Sequence, residues 1–268
     1  MKKAMKRSLN MSKFLIIPQI NNIDESLNLA EKYGFGFEFN DFFFPDVLDY
    51  KRRTDELIGK YKACGLPNYC TMHGAFFDVL IFSDDREIRK ISEMRIRQSL
   101  DIARRLEVKG VVFHTNHTPD ITTKLYLNNW LDRNEDFWRR ILSEYPDVQV
   151  YMENMFDDSP RLLSLLASRM ADVSNFGVCF DYAHAVIFGS DIDDWVTSLS
   201  PYVKHMHIND NDLKNDLHLA VGEGQLDWQH FKDSFEKKLS GANSVLIETS
   251  SLERQQRSAE FLKELGMI

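Results

Sequence analysis

Residues 203–224 bring imidazole and carboxylate side chains close together along the chain. His207 ends a short run of alternating residues, and the turn-forming segment behind it contains Asp216 and His218. Because side chains alternate along a strand, His205 and His207 share one face of this run. Imidazole and carboxylate groups at the end of a buried strand can bind metal ions or transfer protons. This stretch therefore predicts a functional site.

The rest of the chain alternates short apolar runs with longer amphipathic runs, which predicts eight strands and eight helices. The predicted strands are residues 14–18, 35–39, 69–73, 109–114, 148–153, 176–181, 203–207 and 244–248. The predicted helices are residues 24–33, 46–64, 85–107, 124–143, 160–170, 191–199, 227–239 and 251–265, with capping residues that include Asp24, Asp84, Ser159 and Ser250. This pattern predicts an α/β fold, a single (β/α)8 TIM barrel over residues 14–268, behind a flexible basic tail over residues 1–13.

Potential metal ligands stand at or just after the ends of six consecutive predicted strands. In a TIM barrel the C-terminal ends of the strands meet at one mouth, where the active sites of this fold lie. The period-two alternation puts the terminal residues of these strands on the inward face. Nine side chains are therefore predicted to converge at the mouth: His73, His114, Glu153, Asp181, His184, His207, Asp216, His218 and Glu248.

A cluster of carboxylates and imidazoles this dense indicates a cation, which neutralises charges that would otherwise repel one another. Nitrogen and oxygen ligands without thiolate suit Zn²⁺, Mn²⁺, Co²⁺ or Fe²⁺. A single histidine is more often an ordinary hydrogen-bonded residue, so the prediction rests on the joint occurrence of ligands at six strand ends. His205, one layer deeper, is expected to hydrogen-bond inside the barrel, and His230 to lie on an exposed helix face, whereas His117 fits either role.

The composition bears on compartment and partners. Three cysteines without a CxxC pair argue against a disulfide framework and predict a reducing, cytoplasmic location. The apolar run at residues 14–17 is too short for a signal peptide, and the absence of a long apolar stretch predicts no membrane span. The net charge of −8 makes nucleic acid a less favoured partner than a small molecule. A homo-oligomer is compatible with the sequence.

Seven phrases of the sequence, in this order, resemble the xylose isomerase-like TIM-barrel superfamily: MHGAF, VVFH, YMEN, FDYAHA, HMHIND, DLHLAVGEGQLDW and LIET. That superfamily contains metal-dependent sugar isomerases and epimerases, inosose dehydratases, and endonuclease IV, which cuts DNA at abasic sites with three zinc ions. In its sugar enzymes two glutamates, an aspartate and a histidine hold one ion, and the resemblance assigns these roles to Glu153, Glu248, Asp181 and His207. The five further ligands of endonuclease IV match His73, His114, His184, Asp216 and His218.

Local features bear on the branch of the superfamily. The run GEGQLDW resembles the sugar phosphate isomerase/epimerase branch. Ketose 3-epimerases of the superfamily carry a substrate-binding arginine six residues after the metal-binding histidine, and Leu213 stands at that place here. The aromatic run at residues 42–45 fits a lid over a small substrate as well as a surface that stacks on a base. The loop containing Gly222 and Gly224 permits a bound phosphate without requiring one.

The sequence therefore predicts a divalent-metal-dependent sugar or sugar phosphate isomerase or epimerase. Its ion is expected to be Mn²⁺, Zn²⁺, Co²⁺ or Mg²⁺, with one ion expected and up to three accommodated. Glu153 and Glu248 are the predicted catalytic residues, one removing and one returning a proton beside the carbonyl of a carbohydrate substrate. His184 is predicted to bind substrate or shuttle a proton, and His73 and His114 to contact hydroxyls. The alternatives are a trinuclear zinc phosphodiesterase acting on abasic DNA and, third, a non-catalytic sugar-binding barrel.

Overall fold

The computed structural model describes residues 13–189 and 191–268. Eight parallel strands form a closed barrel in which each strand pairs with its neighbours in the chain and β1 pairs with β8. The strands are β1 Phe14–Ile16, β2 Gly36–Phe39, β3 Cys70–His73, β4 Gly110–His114, β5 Gln149–Glu153, β6 Phe176–Asp181, β7 Val203–Ile208 and β8 Ser244–Ile247. The predicted single (β/α)8 barrel is confirmed, and all eight strands lie where the sequence predicts them.

Helices connect the strands around the outside of the barrel. They are α1 Ile23–Tyr33, α2 Pro45–Leu48, α3 Lys51–Ala63, α4 Arg86–Leu106, α5 Lys124–Glu144, α6 Arg161–Arg169, α7 Tyr182–Phe188, α8 Ile192–Leu199, α9 Trp228–Ser234 and α10 Leu252–Glu264. A 3₁₀ turn at Ile20–Asn22 precedes α1, and a π-helical turn at Phe235–Leu239 extends α9.

Two predicted helices differ from the structure in their extent. The predicted helix 46–64 is two helices, because the chain turns at residues 49–50 and Thr54 Oγ1 donates to the carbonyl of Val47 at 2.8 Å to close the corner. The sequence analysis did not predict α7, which begins directly after β6. This short helix matters for the site because it carries His184.

The predicted N-cap residues are wrong, each by one or two positions along the chain. Asp85 rather than Asp84 caps α4, and Ser251 rather than Ser250 caps α10. The other two predicted caps, Asp24 and Ser159, do not occupy the N-cap position of a helix. Adjacent residues of the same type make the positions of the caps of α4 and α10 ambiguous in sequence, and in the structure Asp85 and Ser251 have the extended backbone and accept the capping hydrogen bonds.

The two faces of the strands meet different surroundings. Outward residues such as Phe37, Phe113 and Val178 join the large core between barrel and helices. Inside the barrel a small cluster of Val112, Tyr151 and Cys179 lies apart from that core. The interior therefore receives the residues that alternation along the strands assigns to it, and the strand-end ligands belong to the same inward rows.

The chain enters the barrel beside β8. Of the predicted flexible tail, residues 1–13, all but Lys13 lie outside the described residues. The carbonyl of Lys13 accepts a hydrogen bond from Val245 N at 2.8 Å, and its Nζ donates to the carbonyl of Ala242 at 2.9 Å. Across residues 13–189 and 191–268, none of the helices combines the length and the apolar character required to span a bilayer.

Candidate metal centre

All nine predicted ligands lie at the C-terminal mouth of the barrel, in three groups. The central group is Glu153, Asp181, His207 and Glu248. The strand group is His73, His114 and Glu153, so Glu153 belongs to two groups, and the loop group is His184, Asp216 and His218. Within each group the potential ligand atoms lie within 4.8 Å of one another. The spacing within each group suits a bound cation.

The central group comes from the ends of four neighbouring strands, β5 to β8. His207 Nδ1 lies 3.4 Å from Glu153 Oε1 and 3.5 Å from Glu248 Oε2. Each of the three carboxylates keeps one buried oxygen that has no hydrogen-bond partner among the described residues: Glu153 Oε2, Asp181 Oδ2 and Glu248 Oε2. Buried oxygens are rarely left unpaired, so these atoms fit a divalent cation as their partner.

The strand group converges on the outer oxygen of Glu153. His73 Nδ1 lies 3.0 Å from the carbonyl of Gly74, which can only accept, so Nδ1 carries the proton of the neutral ring. Nε2 of His73 then lies 3.6 Å from Glu153 Oε2, and Nε2 of His114 lies 3.5 Å from the same oxygen. The two ring nitrogens are 3.1 Å apart. His73 Nε2 and His114 Nε2 therefore both lie beside the outer oxygen of Glu153.

The loop group repeats this arrangement around Asp216. His184 Nδ1 lies 3.0 Å from the carbonyl of Asn154, and His218 Nδ1 lies 2.9 Å from the carbonyl of Glu248. Their Nε2 atoms lie 3.4 Å and 3.0 Å from Asp216 Oδ2. Metal-binding histidines characteristically donate the other ring N–H to a carbonyl, which fixes the tautomer and aims the lone pair. The loop group therefore also fits a cation.

Asp181 links the central group to the loop group. It ends β6 and caps α7, because its Oδ1 accepts a hydrogen bond from His184 N at 2.7 Å. Asn154, just after β5, forms two hydrogen bonds with the backbone of Asp181, at 2.9 Å and 3.0 Å. These contacts fix the ends of β5 and β6 relative to each other, and with them the positions of Glu153 and His184.

The loop over residues 209–227 is organised by the buried carboxylate of Asp210. This carboxylate accepts hydrogen bonds from Gly222 N at 2.9 Å, Leu226 N at 3.2 Å and Trp228 Nε1 at 2.7 Å. A Cβ atom at Gly224 would lie only 2.2 Å from Asp210 Oδ1, so the loop closes tightly only with glycine there. The internal bonds of this loop position Asp216 and His218.

Glu38, which was not predicted from the sequence as a site residue, lies within β2 and is fully buried in the barrel. Its Oε1 lies 3.0 Å from His207 Nε2, and its Oε2 lies 2.9 Å from His205 Nε2 and accepts from Thr71 Oγ1 at 2.6 Å. His205 also contacts Ser244 Oγ at 2.7 Å, as expected of a hydrogen-bonded interior residue. The available signal was a lone carboxylate in an otherwise apolar strand, FGFEF.

Two further histidines lie outside the three groups. His117 is buried, and its Nδ1 lies 3.0 Å from Asp157 Oδ1. His230, on α9, is partly exposed and contacts Tyr182 Oη at 3.1 Å and Asp193 Oδ1 at 3.2 Å. Each contacts an aspartate, and neither belongs to a ligand group.

Burial and neighbouring charge shift the pKa values at the mouth. Burial lowers the pKa of His184, but Asp181, Asp216 and Glu153 outweigh it and raise that pKa well above its usual value. Burial likewise lowers the pKa of His218, and Glu248 with Asp216 raises it to about 10. Burial raises the pKa of Asp181 to about 7. Without a bound cation these groups therefore retain protons that metal binding would displace.

A fourth set of potential ligands, Cys179, His205 and His207, also lies close together. Burial raises the pKa of the Cys179 thiol well above its usual value, so the sulfur stays protonated and is a poor ligand. Both ring nitrogens of His205 already contact Ser244 and Glu38. We therefore interpret this set as interior packing rather than a metal site.

Phenylalanine side chains surround the histidines and form an aromatic rim, which we define as Phe43, Phe76, Phe77, Phe156 and Phe188. Phe43 stacks on Phe76 with ring centroids 5.1 Å apart, and Phe77 is nearly parallel to Phe156 at 6.2 Å. The ring centroids of Phe156 and Phe188 are 5.2 Å apart, and Phe188 is the last member of the rim. The rim packs against the ligands: the ring centroids of Phe76 and His114 are 4.6 Å apart.

The predicted aromatic run at residues 42–45 divides among three roles. Phe42 is fully buried in the core, and Pro45 is the first residue of α2. Phe43 belongs to the aromatic rim, and Phe44 is 54% exposed beside it. A lid or stacking role therefore remains for Phe43 and Phe44, together with rim residues from three other loops or helices that sequence analysis missed.

A model of the xylose isomerase-like TIM barrel family matches residues 27–265 of the chain. The chain belongs to this family. The match confirms the resemblance carried by the strand-end phrases, and it covers every residue of the three ligand groups. Two relatives from Methanocaldococcus jannaschii, the uncharacterised proteins MJ1311 and MJ1614, are each 25% identical, over 72% and 73% of this chain and 68% and 76% of their own lengths.

Solved structures share the family's fold. The TTHB071 protein from Thermus thermophilus, soaked with ZnCl₂, has a TM-score of 0.74 and 22% identity, with 94% of this chain and 97% of that chain covered. A D-tagatose 3-epimerase-like protein has a TM-score of 0.71 and 22% identity, with 94% and 96% covered. D-psicose 3-epimerase from Clostridium cellulolyticum, solved with D-tagatose, has a TM-score of 0.68 and 16% identity, with 94% and 97% covered. At these identities the likeness concerns the fold.

Proposed function

We propose that this protein is a divalent-metal-dependent isomerase or epimerase that acts on a carbohydrate by proton transfer beside a carbonyl. The observation that carries the proposal is the central group, in which two glutamates, an aspartate and a histidine lie close enough to share one ion, and in which Asp181 Oδ2 and Glu248 Oε2 are buried without a hydrogen-bond partner among the described residues. A bound divalent cation would polarise the carbonyl and hydroxyl oxygens of the substrate and so acidify the adjacent C–H bond. The nitrogen and oxygen donors suit Zn²⁺, Mn²⁺ or Co²⁺, with Mg²⁺ less favoured by the histidine.

Glu153 and Glu248 would transfer the proton. They project from β5 and from the end of β8, and both approach His207 Nδ1, at 3.4 Å and 3.5 Å. Burial raises the pKa of Glu153, but His207 and His114 outweigh it and hold the pKa well below its usual value. Glu153 is therefore ionised at neutral pH and able to accept a proton. His184 would bind the substrate or shuttle a proton, and His73 and His114 would contact its hydroxyls.

The loops that follow the strands contain few basic residues, which favours a small substrate over a polyanion such as DNA. Only one Lys or Arg, Lys214, occurs in the loops at residues 17–22, 40–44, 74–85, 115–123, 154–160, 209–227 and 248–251. Proteins that bind DNA neutralise several phosphates with such residues. Exposed aromatic rings beside an acidic mouth instead fit the apolar faces of a sugar ring or chain.

The glycine loop after β7 gives little support to a phosphorylated substrate. The space beside Gly224 is filled by Asp210 and Asn211, and the space beside Gly222 is filled by the ring of Phe261. Neither glycine therefore opens a cradle for a phosphate group, and an unphosphorylated carbohydrate is the better fit to these loops.

Phosphodiester cleavage with three zinc ions is the second candidate, and the division of the ligands into three groups favours it. Glu153 has one oxygen toward the strand group and the other toward the central group. His73, His184 and His218 each have Nδ1 beside a backbone carbonyl, the orientation of metal-binding histidines. The scarcity of basic loop residues weighs against abasic DNA as the substrate of such a centre.

Metal analysis and isotope exchange together separate these functions. The proposed isomerase should bind one ion per chain and exchange substrate C–H hydrogen with deuterium from solvent, followed by NMR on a panel of ketoses and aldoses. His73→Ala and His114→Ala should then weaken sugar binding and keep the metal, with His230→Ala on α9 as the unaffected control. Three ions, loss of an ion in both variants and cleavage of abasic DNA would establish the phosphodiesterase instead. Sugar binding without metal or turnover would establish a binding barrel.

A further inference from the structure

We propose that Glu38 is a positioning residue that, from inside the barrel, holds His207 with its Nδ1 toward the central group. The affinity of the central group for a metal ion should then depend on Glu38, although Glu38 belongs to none of the three ligand groups. The inference rests on metal binding by the central group, which the proposed function also needs, and is independent of the reaction that follows.

The contacts of Glu38 assign it this position. One carboxylate oxygen lies 3.0 Å from His207 Nε2, and His207 Nδ1 faces Glu153 and Glu248. All three of these carboxylates and the His207 ring are buried. Neither Nε2 of His207 nor the facing oxygen of Glu38 has another hydrogen-bond partner among the described residues, and a proton held on Nε2 beside this carboxylate would leave the lone pair of Nδ1 free for the central group. A carboxylate behind a metal-binding histidine is a recurrent way to fix both tautomer and ring orientation.

Glu38 is itself fixed by the other side of the barrel interior. Its second oxygen accepts a hydrogen bond from Thr71 Oγ1 at 2.6 Å and lies 2.9 Å from His205 Nε2. His205 in turn contacts Ser244 Oγ at 2.7 Å. A fully buried carboxylate is costly unless its partners are well placed, and burial raises the pKa of Glu38 while His207 and His205 hold it below its usual range. Oε2 thus has two hydrogen-bonding neighbours, and Oε1 has His207 Nε2 beside it at 3.0 Å, with no hydrogen-bond partner elsewhere among the described residues.

Glu38→Gln tests the inference because an amide supplies one acceptor oxygen where two are used. Either His205 or His207 loses its acceptor, so His207 is no longer held in one tautomer. We expect the affinity for Zn²⁺ at the central group, measured by competition with a chromogenic chelator, to fall by about 10- to 100-fold. The ¹⁵N chemical shifts of the His207 ring in the Zn²⁺-loaded protein should move as well, which a distant structural defect would not cause.

Ser244→Ala is the matched control, since it removes a contact of His205 in the same interior without touching Glu38 or His207. It should leave Zn²⁺ affinity within about threefold of the wild type. A folded Glu38→Gln protein with wild-type affinity and unchanged His207 shifts would overturn the inference, as would an equal loss in Ser244→Ala. Where Glu38→Gln does not fold, Thr71→Val decides: we expect a several-fold loss, and wild-type affinity would overturn the proposal. Failure of the wild-type protein to bind metal would instead remove the proposed function.

Discussion

The central group and the loop group contain the same types of ligand but are built on different parts of the fold. The central group lies at the ends of β5 to β8, and its four side chains are buried. In the loop group, Asp216 and His218 stand on the loop over residues 209–227, with side chains 25% and 32% exposed. His218 also has φ of 45°, a conformation that non-glycine residues rarely adopt.

This difference predicts that the central group is more rigid than the loop group. Strand ends are fixed by the hydrogen bonds of the whole barrel, whereas a loop can open without disturbing the sheet. We therefore expect the central group to retain its ion, whereas any ion that binds at the loop group should exchange readily. Four measurements test this contrast.

The largest effect is expected at the central group itself. Glu153→Gln keeps the size of the side chain and removes its charge, so the central group should lose its metal ion. Turnover should fall by about 10³-fold or more, because anchoring and proton transfer both use this carboxylate. Metal content and deuterium exchange are the measurements, with the exposed Glu264→Gln as the matched control. Glu248→Gln should behave in the same way. Normal activity in either variant would contradict the proposal that these two glutamates bind the metal ion and transfer the proton.

A smaller effect is expected in the loop group. Asp216→Asn removes the carboxylate charge that both His184 Nε2 and His218 Nε2 face. Activity should fall by about 10- to 100-fold, the size usual for orienting partners, while the metal content of the central group stays at the wild-type value. Asp212→Asn, on the same loop and half-buried, keeps the oxygen that accepts from Lys214 N and Asn215 N and should change neither. Loss of the central ion in Asp216→Asn would show that the two groups are one cooperative unit.

The pH dependence of activity should reveal competition between protons and metal. A histidine with its ordinary pKa of about 6.5 would place the acid limb near pH 6. Burial lowers the pKa of His207, but the carboxylates of Glu153, Glu248 and Glu38 raise it well above that value, and the pKa of His218 is raised to about 10. A raised pKa means that protons stay bound to higher pH, so at low metal concentration the acid limb should begin at or above neutral pH.

Raising free Mn²⁺ or Zn²⁺ a hundredfold from a subsaturating level should move this limb to lower pH by about one unit or more. Activity profiles at the two metal concentrations give the comparison. A limb that stays in place would mean that proton–metal competition at the mouth does not control the reaction.

The smallest effect is expected at the aromatic rim. Phe77 is 48% exposed and parallel to Phe156, so Phe77→Ala removes one surface on which a sugar can rest. We expect KM to rise by about three- to tenfold, the equivalent of roughly 0.5–1.5 kcal/mol for an aromatic contact, with kcat unchanged. Leu165→Ala, a 42% exposed apolar residue on α6, is the control. A fall in kcat alone would assign Phe77 to the reacting centre.

The sequence was sufficient to predict the barrel and its nine mouth residues, because strand position and side-chain alternation are both local properties. A residue such as Glu153 can be recognised by standing last in an apolar run. The grouping of these residues could not be predicted. It follows from the register between strands, such as the pairing of His114 with Glu153 and of Asp181 with His207. Register is a property of the closed barrel rather than of any one strand.

The residues missed by sequence analysis stand where no local pattern marks them. Glu38 lies inside a strand instead of at its end, and its role depends on His207, far away in sequence. Phe76 and Phe156 lie in loops, where a phenylalanine is equally compatible with packing or exposure. The short α7 was missed because its start depends on the Asp181 cap, and the same residue is a predicted ligand.

Asp210 makes the segment over residues 210–228 a single structural unit that should be exchangeable between relatives. Its carboxylate collects hydrogen bonds from the far side of the loop, at Gly222, Leu226 and Trp228, so the two ends of the loop are tied to a single side chain. A chimera that exchanges this loop with that of a relative should fold when the whole segment is moved together. An exchange that stops between Asp210 and Trp228 should leave a buried carboxylate unpaired and unfold the loop. Exchange of the whole segment should therefore be tolerated better than single changes around Asp210.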